Sequence, residues 1–303
     1  MEYKKTINNE ANDVVCTPDY FADFMARIAG IREGSTVCDI ACGEGALLSA
    51  ALRAGASKVY GVELSEELAR DTAEEMKGQP AEIINGDSMA DALPFLRSCD
   101  VALLNPPYSG TESGMAFTRR LAKEMKPGST ICLLIREDPG KGMRKEGSIT
   151  AEVLRLATLR TVITNADIFN GKASVGTATY LFDVGRPHQA GDIVTFIDFS
   201  EDGYTRRNRK KRGTAANFTD TDNAAERYKE VEAICRGESI AGKYYTEENG
   251  KLIRDTISLD GLGLSFNSHI RINLTPTDED FMKTVADYLA FRVSEVISGR
   301  AEA

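Results

Sequence analysis

The chain has 303 residues, 42% of them hydrophobic and 27% charged, which are ordinary values for one large globular domain or one domain with an appendage. Its formal net charge of -9 excludes a surface that attracts nucleic acid everywhere, although a local basic patch could still bind it. The sequence shows neither an apolar run of transmembrane length nor a secretory leader, and its six cysteines form no Cys-x-x-Cys pair. With only two histidines, it predicts a cytoplasmic protein with reduced thiols and no metal site.

Helices and strands alternate over about the first 185 residues. The first predicted helix spans 17–30, with Thr17 as its N-cap, Pro18 in the first helical position and Gly30 at its end. The strands that follow are predicted at 37–41, 58–62, 81–85, 101–104, 131–135, 160–164 and 175–184. Helices are predicted between them at 46–54, 66–76, 115–126 and 151–157. This alternation predicts an α/β protein with one doubly wound sheet.

Acidic residues follow the first three predicted strands. Asp39 precedes the turn Cys42-Gly43-Glu44-Gly45, whose glycines would let a ligand approach the backbone, and a carboxylate there suits an ammonium group better than a pyrophosphate. Glu63 ends the second strand, where an acid typically binds a ribose diol, and Asp87 after the third strand could accept from an adenine amino group. Each acid alone is equally well explained as a solvated turn residue. Three of them at successive strand ends predict a nucleoside-binding site.

The stretch Asn105-Pro106-Pro107-Tyr108 ends the fourth predicted strand, where the two prolines cannot continue a ladder. Ligands of open α/β sheets bind at this end of the strands. The Asn105 side-chain carbonyl and the Pro106 backbone carbonyl are suited to accept the two hydrogens of a conjugated amine, which frees the nitrogen lone pair for attack. The Tyr108 ring could stack on a flat substrate. A merely rigid turn is the alternative interpretation.

Two polar stretches are candidates for phosphate contacts. One is the glycine-rich segment 137–147, and the other is the basic run 206–212. A solvated loop is the alternative for the basic run. The candidate contacts are Lys141, Arg144, Lys145, Arg206, Arg207, Arg209, Lys210, Lys211 and Arg212.

The alternation ends after residue 187. The remaining chain predicts strands at 193–199, 243–245 and 269–274, a helix at 223–235 and a terminal helix at 278–298. We therefore expect two parts, a first domain at 1–187 and a small mixed α+β C-terminal extension at 188–303 that contains the basic loop 204–213.

The order of these motifs resembles that of DNA adenine-N6 methyltransferases of the gamma arrangement, which use S-adenosyl-L-methionine (AdoMet). The matching residues are Thr17-Pro18, the stretch from Asp39 to Gly45, Glu63, Asp87, the Asn105–Tyr108 motif and Phe169. The segment from 198 to the next helix loosely resembles modification subunits of type I restriction-modification systems. Ile40 and Glu44 depart from the pattern, since proline and serine are usual there. The resemblance implies a Rossmann-like methyltransferase sheet in the first domain.

The resemblance also implies roles for individual residues. Asn105 and Pro106 would bind the target amine, while Tyr108 and Phe169 would enclose an adenine flipped out of the duplex. AdoMet would be the cofactor, without a metal. The implied cofactor-binding residues are Thr17, Asp39, Ala41, Cys42, Gly43, Gly45, Glu63, Leu64, Asp87, Ser88 and Asn105.

The implied partner is DNA, together with a separate specificity subunit or a second copy of the chain. The segment after 187 is small for a domain that reads the major groove, which favours specificity from a partner. Methylation of an RNA base amine or a glutamine side chain is the nearest alternative. A non-catalytic AdoMet-binding regulatory subunit is an alternative of another class. A nicotinamide-dependent enzyme would want a third glycine after the first strand.

Overall fold

The computed structural model describes residues 16–108, 114–136, 147–165, 168–169, 176–189, 192–198, 205–206, 218–219, 224–238, 245–248, 251–254 and 256–258. The predicted strand 269–274 and terminal helix 278–298 lie outside the described residues. The same holds for all the candidate phosphate contacts except Arg206, of which only the backbone is described.

The helices of the described chain are α1 (Asp19–Ile28), α2 (Ala46–Arg53), α3 (Glu66–Glu75), α4 (Gly114–Glu124), α5 (Gly147–Leu156) and α6 (Ala224–Cys235). A 3-10 helix spans Pro94–Ser98. The strands are β1 (Thr36–Asp39), β2 (Lys58–Glu63), β3 (Ala81–Asn85), β4 (Val101–Leu104), β5 (Thr130–Arg136), β6 (Ala157–Asn165), β7 (Thr177–Val184), β8 (Ile193–Asp198), β9 (Thr205–Arg206), β10 (Phe218–Thr219), β11 (Tyr245–Glu248), β12 (Lys251–Arg254) and β13 (Thr256–Ser258).

Nine of these strands form one sheet, in the order β13-β8-β6-β7-β5-β4-β1-β2-β3. The strands from β5 to β3 pair in parallel, whereas β7 is antiparallel to both of its neighbours. Helices cover both faces of the sheet. Successive residues of a strand point to opposite faces, so neighbouring residues of β4 meet different helices. Leu103 packs with residues of α1 and α2, and Leu104 packs with residues of α4 and α5. The predicted α/β class with a Rossmann-like doubly wound sheet is confirmed.

The sheet continues past residue 187. Strand β8 pairs in parallel with β6, and β13 pairs with β8. Helix α6 packs on α1, where Arg27 Nε donates to Glu232 Oε1 at 2.7 Å. The two hairpin-like pairs β9–β10 and β11–β12 are separate from the large sheet. The division of the chain at residue 187 stays a prediction.

The start of α1 differs from the sequence-based expectation. The helix begins at Asp19 with Pro18 as its N-cap, and no side chain caps it. The prediction that Thr17 is the N-cap and Pro18 the first helical residue is therefore wrong. The Pro18 carbonyl accepts from the amides of Phe21 and Ala22, each at 2.9 Å, so the first turn forms without Thr17. The Thr17 hydroxyl has another partner, described below.

Gly61 of β2 is closely surrounded by side chains near the site. A Cβ there would come within 2.7 Å of Leu48 Cδ1, 2.8 Å of Ile83 Cδ1 and 2.9 Å of Cys42 Sγ. We expect Gly61→Ala to lower the free energy of unfolding by ~1–3 kcal/mol, because these side chains must shift. Urea denaturation measures the change. Glu82→Ala on the neighbouring strand removes an exposed side chain and should change the free energy by less than ~0.5 kcal/mol. Equal midpoints for the two variants would contradict this prediction.

Candidate active site

A cleft opens at the carboxyl ends of β1, β2 and β4. It lies where the strand order reverses, because β2 and β3 lie on one side of β1 and β4 and β5 lie on the other, and ligands of open α/β folds bind at such a point. The cleft collects side chains and backbone from four separate segments of the chain. The sequence-predicted residues that line it are Thr17, Asp39, Ala41, Cys42, Gly43, Glu63, Asn105, Pro106 and Tyr108. The sequence-predicted residues that do not line it are Gly45, Leu64, Asp87, Ser88 and Phe169.

The glycine turn after β1 is fixed by three side chains. Asp39 Oδ1 accepts from the Ala41 amide at 3.0 Å, and Glu63 Oε2 accepts from the Gly43 amide at 2.9 Å. The Thr72 hydroxyl, on α3, donates to the Gly43 carbonyl at 2.7 Å. Gly43 has a φ of 50°, and a Cβ on it would meet nothing within 4 Å. The turn therefore presents bare backbone to open space in a fixed conformation.

Asp39 is a buried carboxyl group, with a relative exposure of 2%. Burial raises its pKa to about 7, and the nearby Glu63 carboxylate adds to the rise, while the hydrogen bond from the Ala41 amide opposes it. A cationic group bound beside Asp39 would favour the ionised form and lower this pKa. The buried carboxyl is therefore suited to an ammonium group.

The Glu63 carboxylate is held in one orientation at the end of β2. Its Oε1 accepts from the Ser65 amide at 2.8 Å, while its Oε2 bonds to Gly43 as described. Each oxygen keeps lone pairs that can accept from a diol. The next residue, Leu64, has a relative exposure of 73%, which is high for a large apolar side chain. Asn85 donates to the carbonyls of Glu63 and Leu64 and so links this segment to β3.

Asp87 and Ser88 lie beyond β3 in a turn of their own. Asp87 is exposed, and its Oδ1 accepts from the Met89 amide at 2.8 Å. Arg120 of α4 holds this turn, because its guanidinium donates to the carbonyls of Ser88 at 3.0 Å and Asp91 at 2.6 Å. Sequence reasoning missed Arg120, since a charged residue within an amphipathic helix is usually predicted to face solvent.

The Asn105 carboxamide lies between two hydroxyl groups. Its Nδ2 donates to Thr17 Oγ1 at 2.9 Å, and its Oδ1 accepts from the Tyr108 hydroxyl at 2.8 Å. Burial raises the pKa of Tyr108 well above its ordinary value, so the phenol stays a neutral donor. The sequence did not predict the contact with Thr17, because 88 residues separate the two.

The Tyr108 ring contacts Phe169 edge to face, with ring centroids 6.2 Å apart and an interplanar angle of 67°. Phe169 has a relative exposure of 2%. The rings are adjacent, as expected, but they do not face each other across a gap. Their predicted role as two stacking faces stays a prediction and requires a ring to move. Tyr20 of α1, which sequence reasoning also missed, donates to the Ile168 carbonyl at 3.2 Å and so fixes the turn that carries Phe169.

No group of three or more His, Cys, Asp or Glu residues suited to a metal occurs among the described residues. Within the same part of the chain, no helix is both long and apolar enough to cross a membrane. The predicted nucleic-acid contacts Lys141, Arg144, Lys145, Arg207, Arg209, Lys210, Lys211 and Arg212 lie outside the described residues, and the side chain of Arg206 is not described. Their roles stay predictions.

Comparison with known proteins agrees with the fold. Residues 37–128 match the family described as "Methyltransferase domain". The chain is similar to a type II restriction enzyme and methyltransferase of Heyndrickxia coagulans, with 26% identity over 99% of this chain and 50% of that protein. A stretch of 98 residues is 36% identical to a 4-amino-L-phenylalanine/4-methylamino-L-phenylalanine methyltransferase of Streptomyces pristinaespiralis, and covers 30% of this chain and 33% of that protein.

Two solved structures have a similar fold. One is the methyltransferase subunit of a type I restriction-modification system from Streptococcus thermophilus, with 20% identity, a TM-score of 0.63, and coverage of 86% of this chain and 59% of that one. The other is the M protein of the type I restriction enzyme EcoKI, with 13% identity, a TM-score of 0.62, and coverage of 85% and 65%. The chain thus spans about half to two thirds of these relatives. The expected resemblance to restriction-modification methyltransferases and the Rossmann-like methyltransferase fold are both confirmed.

Proposed function

We propose that this chain, which has a methyltransferase fold, transfers a methyl group from AdoMet to the exocyclic N6 amine of an adenine in DNA. One observation carries the proposal. The Asn105 side chain and the Pro106 backbone lie in the same cleft as Asp39, the glycine turn and Glu63. Two carbonyl acceptors for an amine thus share a cleft with a set of groups that fits a charged nucleoside.

The cleft residues fit AdoMet. Asp39, buried and with a pKa near 7, would bind the ammonium group, and the backbone of Gly43 leaves room for the methionine part. The fixed carboxylate of Glu63 would accept from the ribose hydroxyls. The exposed side chain of Leu64 and the turn that contains Asp87 and Ser88 would contact the adenine ring. When bound, AdoMet supplies a methyl group on an activated sulfonium centre.

The chain's own contribution to the reaction is positioning. The Asn105 Oδ1 and the Pro106 carbonyl would accept the two hydrogens of the target amine, which disfavours delocalisation of its lone pair into the ring. Tyr108 would stack on the base at ~1–3 kcal/mol and so offset part of the unstacking of the flipped nucleotide. Holding the amine in line with the methyl group then lowers the barrier without an acid or base.

The names of the relatives favour DNA as the substrate that carries the amine, since a restriction enzyme and methyltransferase matches 99% of this chain. The 4-amino-L-phenylalanine methyltransferase is 36% identical over 98 residues and, by its name, acts on an amine conjugated to a ring. RNA base amines and glutamine side chains remain the rival substrates of this chemistry. Because the solved relatives include subunits of type I systems, we propose that a specificity subunit contributes the reading of sequence. Methylation of one DNA motif by the purified chain alone would overturn the proposal of a partner.

The test is nucleoside mass spectrometry of DNA and RNA from a host that lacks adenine methylation and expresses the chain. We expect N6-methyladenine in DNA, with RNA unchanged, and no signal with the Asn105→Ala variant. Methyladenine in RNA alone, or methylated glutamine in peptides, would contradict the proposed substrate. Absence of all three signals when the chain is co-expressed with a specificity subunit would contradict a catalytic role.

The affinity for AdoMet should depend on pH through Asp39. The pKa of Asp39 is raised to about 7, so the carboxyl is mostly neutral at pH 5.5 and becomes charged as the pH rises. We expect the affinity to increase roughly tenfold between pH 5.5 and 7.0, a range in which an α-amino group stays protonated. Calorimetric titration at the two pH values measures this. Asp39→Asn is the matched control and should bind with little pH dependence. A flat profile for the wild-type chain would mean that Asp39 does not face the ammonium group.

A further inference from the structure

We propose that Thr17 is a positioning residue that sets the orientation of the Asn105 carboxamide, so that its oxygen rather than its nitrogen meets the target amine. The inference rests on the proposed function, because it concerns how the same site recognises an amine. It gives Thr17 a role different from the contact with the methionine part of AdoMet that the motif resemblance implies.

A carboxamide is nearly symmetric in shape but not in hydrogen bonding. Rotation by half a turn exchanges an acceptor oxygen for an NH2 donor at almost no steric change. Only the oxygen can accept from a target amine, whereas a nitrogen in its place would oppose two N–H groups. The reaction therefore needs a neighbour that distinguishes the two ends of the Asn105 side chain.

Thr17 is suited to be that neighbour. Its Oγ1 accepts from Asn105 Nδ2 at 2.9 Å, which leaves Oδ1 on the opposite side, toward Tyr108. The Tyr108 hydroxyl also favours this orientation, because it donates to Asn105 Oδ1 at 2.8 Å. However, enclosing a base between Tyr108 and Phe169 requires one of the two rings to move, and movement of Tyr108 would break this second hydrogen bond. The hydrogen bond to Thr17 involves neither ring.

Thr17 itself is held firmly. Its relative exposure is 6%, and it immediately precedes Pro18, whose carbonyl accepts the first two amide hydrogen bonds of α1. That helix is fixed by the buried side chains of Phe21 and Phe24. The absence of Thr17 from the helix cap is consistent with this role, because the hydroxyl is engaged with Asn105 instead.

The test compares Thr17→Val, which removes the hydroxyl with little change of shape, with Thr17→Ser, which keeps it. Single-turnover methyl transfer to DNA is measured at saturating AdoMet, and the AdoMet Kd is measured separately. We expect Thr17→Val to lower the rate by about tenfold, the effect of one orienting hydrogen bond, with the Kd changed less than about twofold. Thr17→Ser should stay within about threefold of the wild-type rate.

Each contrary result has one meaning. A wild-type rate for Thr17→Val overturns the inference, and so does a weaker AdoMet Kd with an unchanged rate at saturation, which would restore the cofactor role. Equal losses for the valine and serine variants would show that the packing of the whole side chain, not the hydrogen bond of the hydroxyl, sets the rate, and would overturn the inference. Retained AdoMet binding shows that a variant is folded, and Thr17→Ala replaces Thr17→Val if the latter fails this check. Failure of the proposed function is distinct, because the wild-type chain would then not methylate DNA adenine even with a specificity subunit present.

Discussion

Asn105→Ala is expected to lower the rate of methyl transfer by at least ~100-fold, the effect typical of removing one group that stabilises a developing charge. The variant loses the side-chain oxygen that we propose accepts from the target amine, and no other group beside Thr17 and Tyr108 is expected to replace it. AdoMet binding should change little, because Asp39 and Glu63 are untouched. Single-turnover assays on DNA, with calorimetry for AdoMet, measure the two effects separately.

The matched control is Asn105→Asp, which keeps acceptor oxygens at the same place. We expect it to retain far more activity than the alanine variant. An alanine variant as active as the wild-type chain would remove Asn105 from the reaction. An alanine variant that no longer binds AdoMet would instead place Asn105 in the cofactor site.

Asp39→Asn is expected to weaken AdoMet binding by roughly 10- to 100-fold, the range for a hydrogen bond to a charged group. The amide keeps the shape of the side chain and can still accept from the Ala41 amide, so the glycine turn should hold its conformation. Only the charge that we propose binds the ammonium group is lost. Calorimetric titration at pH 7.5 measures the loss.

The same substitution should stabilise the chain without cofactor above neutral pH. Because burial raises the pKa of Asp39 to about 7, above its value of ~4 in the unfolded chain, its contribution to stability is fully present below about pH 4 and is lost as the pH rises through about 7. At pH 8 the asparagine variant should therefore be more stable, by on the order of a few kcal/mol. Near pH 4 the two chains should unfold alike. A variant that is less stable at pH 8 would show that the carboxylate is already compensated within the protein.

Much of the site could be predicted from the residues that follow each predicted strand. Asp39, Glu63 and Asn105 each follow an apolar run, and parallel strands deliver their ends to one edge of the sheet. The bounds of β3 and β4 agree with the prediction residue for residue. Local pattern was sufficient there because turn residues follow each run directly.

Features that depend on distant contacts could not be predicted in this way. The partner of the Thr17 hydroxyl is 88 residues away, and the role of Arg120 appears only when α4 packs beside the turn after β3. The antiparallel direction of β7 is similar in kind, because a fully buried strand shows the same apolar run in either direction. Asp87 was expected beside Asp39 and Glu63 but does not line the cleft, and the strand pattern alone could not give this distance.

The packing of α1 on α6 has a consequence for the order of events during synthesis. Helix α1 leaves the ribosome before α6, yet the hydrogen bond of Arg27 requires Glu232, 205 positions later, and the ring of Phe24 packs against that of Tyr228, 4.9 Å away in the folded chain. A nascent chain that ends before α6 can assemble the β1–β4 part of the sheet but cannot cover this face of α1. Thr17 adjoins that helix, so the packing around Thr17 and Asn105 is complete only after α6 has been made, and we expect methyl transfer to begin only after that point.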